Sequence, residues 1–137
     1  MTRHPLDVWV VDDDQSVRWV LEKALKQADM EPRSFERAEH LLAAIDNNPP
    51  DVLITDVRMP GLDGFQICRT IKADPDSSST IVIAMTGFYS PETEARILEC
   101  GAVRCFAKPF EPSEISTYLA QRNAGDRGET RFFYSGS

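Results

Sequence analysis

The stretch VWVVDDDQSVRWVLEKALKQA, residues 8–28, decides the fold. Four apolar residues, Val8 to Val11, run straight into three carboxylates, Asp12, Asp13 and Asp14. Then Val17, Val20, Leu21, Ala24, Leu25 and Ala28 recur at the spacing that makes one face of an α-helix apolar. A short apolar strand, an acidic turn and an amphipathic helix form the first βα unit of a parallel sheet. Asp14 is the expected N-cap of the helix.

The same alternation returns along the chain. Val52 to Thr55, Ile81 to Met85 and Val103 to Ala107 are apolar runs of strand length, with a weaker one from Met30 to Phe35 whose Pro32 predicts an edge position. Helical spacing links Ala38, Leu41, Leu42 and Ile45, then Phe65, Ile67, Cys68 and Ile71, then Ala95, Ile97 and Leu98, and finally Ile115, Tyr118 and Leu119. Pro91 and Pro112 stand where a proline opens a helix, and Gly101 stands where a glycine closes one. The fold class is α/β: five parallel strands, with helices on both faces of the sheet. From Asn123 the chain reads NAGDRGETRFFYSGS, with no apolar period. Residues 1–122 are therefore expected to form the domain. Residues 123–137 are expected to be a flexible tail: a native extension, the start of a linker, or an expression remnant. The cluster Phe132, Phe133 and Tyr134 is read as part of that end.

A chain of 137 residues suits one domain with its own core. No apolar run approaches the length of a membrane span, and the first residues lack the pattern of a secretory signal. A soluble, cytoplasmic protein is expected, with no membrane partner. The net charge of −7 supplies no positive field for a nucleic-acid backbone, so direct nucleic-acid binding is not expected. Cys68, Cys100 and Cys105 have no metal-binding spacing and are expected to be reduced thiols. Trp9, Trp19 and Met85 read as packing residues. His4 and His40 are not placed for catalysis or metal binding.

Ligands of an open parallel sheet bind beyond the carboxyl ends of its strands. At those ends stand Asp12, Asp13 and Asp14 after the first strand, Asp56 after the third, Thr86 after the fourth and Lys108 after the fifth. Clustered carboxylates repel unless a cation is present, and Mg2+ favours oxygen ligands and phosphate. A carboxylate nucleophile can form an acyl phosphate, while a lysine and a hydroxyl can stabilise charge on the transferred group. These are the parts for phosphoryl transfer to an aspartate. Asp63, between Gly61 and Gly64, reads as a cap or turn residue.

Four segments also carry a family resemblance: VVDDD at 10–14, ITDVRMPGLDG at 54–64, IAMTG at 83–87 and FAKPF at 106–110. Over residues 6 to 122 the chain resembles the response-regulator receiver domains of two-component signalling, the CheY-like superfamily. Its opening is similar to receivers of nitrogen-regulatory activators. The resemblance implies a flavodoxin-like (βα)5 doubly wound sheet with strand order 2-1-3-4-5. It implies that Asp56 is the phosphoacceptor and that Asp12, Asp13, Asp56 and the backbone carbonyl of Arg58 hold Mg2+ or Mn2+. By the same resemblance Lys108 contacts the phosphoryl group, Thr86 moves toward it, and Pro109 follows a cis peptide bond. Arg58 and Phe88 occupy the two positions that tune phosphate loss.

One departure stands out: Cys105 occupies the place where the family carries a switch aromatic. Phe106 follows it, but successive strand residues point to opposite faces, so Phe106 is no simple substitute. The expectation is that activation rearranges the fourth helix and its loop without an aromatic flip. The implied partners are a sensor histidine kinase or phosphotransfer protein and a downstream effector domain or protein, with a phosphorylation-dependent homodimer as a further form. Their reading face is expected between Tyr89 and Cys105 and on the last helix through Tyr118. The domain is expected to catalyse its own phosphorylation and dephosphorylation. Three rivals fare worse. A phosphatase resembling the haloacid dehalogenases needs an aspartate where Arg58 stands. A flavin module would meet phosphate with DDDQS. A phosphate-blind receiver would not need the full set of site residues.

Overall fold

The computed structural model of the protein describes residues 5–46 and 48–125. His4 and the aromatic cluster at 132–134 lie outside them. Strands and helices alternate: β1 (Asp7–Val11), α1 (Gln15–Gln27), β2 (Glu31–Phe35), α2 (Ala38–Ile45), β3 (Val52–Asp56), α3 (Gly64–Ala73), β4 (Ile81–Thr86), α4 (Pro91–Glu99), β5 (Arg104–Ala107) and α5 (Pro112–Gly125). All pairings are parallel and the order is β2-β1-β3-β4-β5, as expected. Pro32, which cannot donate to a ladder, lies opposite Val8 on the edge strand β2.

Side chains alternate across the sheet and divide the core in two. Trp9, Val11, Leu53, Val82, Ala84 and Cys105 pack with residues of α2, α3 and α4. Val8, Val10, Ile54, Ile83, Met85 and Phe106 pack on the other face with α1 and α5. Cys105 and Phe106 therefore do face opposite layers.

Local signals act where the sequence places them. Asp14 accepts from the Ser16 N–H and caps α1; Asp63 forms a capping box with Gln66 on α3; Pro91 opens α4 behind the Ser90 cap. Two packing expectations need correction. Trp9 is buried against Phe35, but Trp19 is 62% exposed, with the Lys23 ammonium over its ring. A helix on a sheet buries a stripe only about 100° wide. Leu21 and Leu25 centre that stripe on α1, so Trp19 and Val20 fall outside it. On α4 the expected trio reduces to Ile97, since Leu98 is exposed and Ala95 also faces outward. At the other end of the domain, α5 runs through Asn123, where the tail was expected to begin, to Gly125; helix ends are not bound by apolar periodicity.

Candidate functional site

Because every strand runs the same way, the carboxyl ends of β1, β3, β4 and β5 share one rim. Asp12 follows β1 directly and is fully buried; Asp56 is the last residue of β3 and 8% exposed; Asp13 is open to solvent. One carboxylate oxygen from each of Asp12, Asp13 and Asp56 falls within 4.8 Å of the others. Lys108, just beyond β5, reaches across with Nζ 2.9 Å from Asp12 Oδ2 and 3.4 Å from Asp56 Oδ2. The structure thus joins four residues separated by up to 96 positions in sequence.

The scaffold holds these groups from behind. Asp12 Oδ1 accepts from the Asp14 N–H, and Arg18 Nη1 donates to the Asp12 carbonyl at 2.7 Å. The sequence reading missed Arg18; its only signal was its place one turn into α1 beside the acidic run. The Lys108 N–H donates to the Thr86 carbonyl at 2.7 Å, and the Lys108–Pro109 peptide is cis, as the resemblance implied. After β3 the chain turns back so that the Gly64 N–H meets the Val57 carbonyl at 2.8 Å.

Three carboxylates cluster here, and one ammonium pairs with two of them. Burial pushes the Asp56 carboxyl above the ordinary range; Lys108 opposes that and Asp12 adds to it. Burial works against charge on Lys108, yet its hydrogen bond to Asp12 and the charges of Asp56 and Asp12 carry its pKa upward. An all-carboxylate donor set with one solvent-facing member fits a hard divalent cation, which would supply the charge that Lys108 alone does not.

A pH dependence follows. The folded value of Asp56 is raised, so its contribution to stability is present in acid and is lost as pH rises through that value. Metal-free protein is expected to lose stability from just above the ordinary aspartate range toward neutrality. Mg2+ should restore it at neutral pH and do little in acid. Thermal melts across that range, with Mg2+ and with a chelator, check this; an equal Mg2+ effect at both ends would refute it.

Thr86 is buried on the rim, but its Oγ1 accepts from the Phe88 N–H at 3.0 Å and so faces its own loop. Arg58 and Phe88, the two expected tuning positions, touch: the guanidinium lies over the ring at 4.6 Å, and both residues are exposed. Cys105 is buried at the expected place, its thiol pushed up to about 11 by burial and by Glu94. Tyr89 donates its hydroxyl to Glu94 Oε1 at 2.6 Å, tying the loop after β4 to α4; no spacing in the sequence announced that bond.

Residues 8–120 match the family model described as the response regulator receiver domain. Over 108 residues the chain is 39% identical to the DNA-binding transcriptional regulator NtrC of Proteus hauseri, covering 79% of this chain and 22% of that protein. It spans about a fifth of the length of such relatives. Among solved structures, the chemotaxis response regulator CheY4 of Vibrio cholerae superposes with a TM-score of 0.79 at 28% identity, covering 87% of this chain and 98% of that one. The BeF3-activated receiver domain of DrrB, a Thermotoga maritima protein, gives a TM-score of 0.80 at 27% identity, with 88% and 99% covered.

Proposed function

The chain belongs to the response regulator receiver domain family of two-component signalling, and on that premise we propose that it is a switch that takes a phosphoryl group onto Asp56. The observation that carries this reading is the meeting of Asp12, Asp13 and Asp56, with the Lys108 ammonium against Asp12 and Asp56. An Asp56 carboxylate oxygen attacks the phosphorus of a phosphohistidine. The new P–O bond forms as the P–N bond breaks, and the departing imidazole nitrogen keeps the electron pair and takes a proton. Mg2+, or Mn2+ in its place, held by Asp12, Asp13, Asp56 and the Arg58 carbonyl, would offset the charge on the phosphoryl oxygens. Lys108, hydrogen-bonded to Asp12 and already within 3.4 Å of Asp56, turns its ammonium to a phosphoryl oxygen.

Thr86 couples this chemistry to shape. When its hydroxyl turns to the phosphoryl group, the Phe88 N–H loses its acceptor and the loop to Ser90 must rearrange. That loop leads into α4, which buries only Ile97 and is tied to the loop by Tyr89 and Glu94. A helix so thinly anchored is a natural two-state element. Cys105 offers no aromatic to flip, so the displacement of α4 is itself the output; a phosphorylated-state structure with α4 unmoved would overturn that. The surface offered to partners includes Tyr89, Leu98 and Arg104, with Tyr118 beside them on α5, whereas Cys105 lies beneath it.

The donor would be a sensor histidine kinase or phosphotransfer protein in the cytoplasm. The receiver of the signal would be an effector domain or protein, and a homodimer could form in the phosphorylated state. Among the described residues no helix is long and apolar enough to cross a membrane. Phosphate loss is set by Arg58 and Phe88, whose stacked side chains offer no acceptor to orient water. Phe88→Glu or Phe88→Asn is expected to speed dephosphorylation on the order of tenfold, the worth of about one hydrogen bond. Phosphate-release assays check this, and equal or slower loss would count against it.

The deciding experiment is intact mass after incubation with acetyl phosphate, with Mg2+ and with a chelator. A single phosphate adduct that requires metal and maps to the peptide containing Asp56 supports the switch. No adduct would make the chain a phosphate-independent interaction module.

A further inference from the structure

Cys68 and Cys100 take no part in this chemistry, yet the fold brings them together between α3 and the end of α4. Cys68 lies in mid-α3 with no solvent exposure and donates its Sγ–H to the Cys100 carbonyl at 3.1 Å. Cys100 is the partly exposed C-cap of α4, and its own Sγ accepts from Arg69 Nη1 at 3.3 Å. Arg69 follows Cys68 on α3. Each sulfur is therefore held by the partner cysteine or that cysteine's neighbour, across the contact between α3 and the end of α4.

The two thiols differ in the way a reactive cysteine and its trapping partner must. Peroxide must reach a thiol to oxidise it, and Cys100 is partly open to solvent with Arg69 Nη1 3.3 Å from its sulfur. Cys68 is sealed from water; burial, with Cys100 beside it, pushes its thiol up to about 11, so it stays protonated at neutral pH. Cys105 is also buried, in the layer beneath α4, and has no described contact with another sulfur.

We propose that Cys100 is a peroxide-reactive thiol whose oxidised form is captured by Cys68, giving an intramolecular disulfide that ties α3 to the end of α4. With hydrogen peroxide as oxidant, the Cys100 sulfur attacks one oxygen and the O–O bond breaks. The sulfur becomes a sulfenic acid and the other oxygen leaves as water. The Cys68 sulfur then attacks the Cys100 sulfur. The S–S bond forms, the S–O bond breaks, and the Cys68 proton departs with the hydroxide as a second water. Two thiols are oxidised and one peroxide is reduced. The bridge spans 32 positions and encloses β4, the Thr86 loop and α4, so it stabilises the fold by restricting the unfolded chain.

The test uses the full chain, treated with hydrogen peroxide, denatured and alkylated, then followed by intact mass and non-reducing peptide mapping. The expected product has lost two hydrogens, alkylates only at Cys105, contains a Cys68–Cys100 cross-linked peptide, and reverts with dithiothreitol. A Cys68→Ala variant should accumulate a sulfenic acid at Cys100 that dimedone captures, and Cys100→Ser should form no bridge. Three cysteines that all remain alkylatable, a bridge through Cys105, or a disulfide between chains would each overturn the proposal. If Cys68→Ala does not fold, mapping of the unsubstituted chain decides. None of these readouts involves phosphate, so failure here is distinct from failure of the switch.

Discussion

An Asp56→Asn substitution is expected to abolish phosphate uptake and, in the same protein, to raise metal-free stability. The loss follows from chemistry: an amide oxygen has neither the charge nor the nucleophilicity to form the acyl phosphate. The gain follows from position. Asp56 is almost fully buried at the end of β3, and its raised pKa shows that burial and Asp12 together outweigh the Lys108 ammonium at 3.4 Å. A neutral side chain of the same shape escapes that penalty and leaves Lys108 to Asp12, at 2.9 Å. Intact mass with acetyl phosphate reads the first effect, and denaturant melts in a chelator read the second. A persisting adduct would place the phosphoacceptor elsewhere. A less stable variant would mean that the ion pair outweighs the cost of burial.

Gly64→Ala is expected to cost about 2–3 kcal/mol, the usual range for overpacking a site that cannot yield. A Cβ at position 64 would lie 2.6 Å from the Asp56 carbonyl oxygen and 2.8 Å from the Val57 Cα. Both obstacles are backbone, so no rotamer change relieves them. The strain falls on Asp56, the proposed phosphoacceptor, and on Val57, and phosphate uptake should slow along with the loss of stability. Gly87→Ala is the control: a Cβ there meets nothing within 4 Å, and stability should move by less than about 0.5 kcal/mol. Urea melts of the two variants side by side check this, and equal costs would show that the loop after β3 can give way.

Much of the molecule was legible in the chain because the relevant physics is local. Strand-length apolar runs alternating with helical periods specify parallel βα units, and Pro32 marks an edge because it has no N–H to donate. Asp14 and Asp63 cap their helices through bonds to residues two and three positions away. The site itself was legible for a topological reason. Parallel strands end on one rim, so residues that follow them converge however far apart they lie in sequence, as Asp12 and Lys108 do.

What periodicity does not carry is which partner covers a given face. It marked Val20, Ala95 and Leu98 as apolar and read Trp19 as packing, but only the placing of α1 and α4 on the sheet left Trp19 and Leu98 in solvent. The stacking of Arg58 on Phe88, the tether from Tyr89 to Glu94 and the turn of Thr86 toward its own loop depend on loop conformations that no residue spacing encodes. The contacts that join Cys68 to Cys100 arise only when α3 and α4 pack against each other. The sequence by itself therefore determined the fold class, the strand edge, the caps and the acidic rim with its lysine, because these follow from short-range bonding and strand direction. Which side chains meet across helices and loops was decided by tertiary structure alone, because that depends on how each element is rotated and seated against its neighbours.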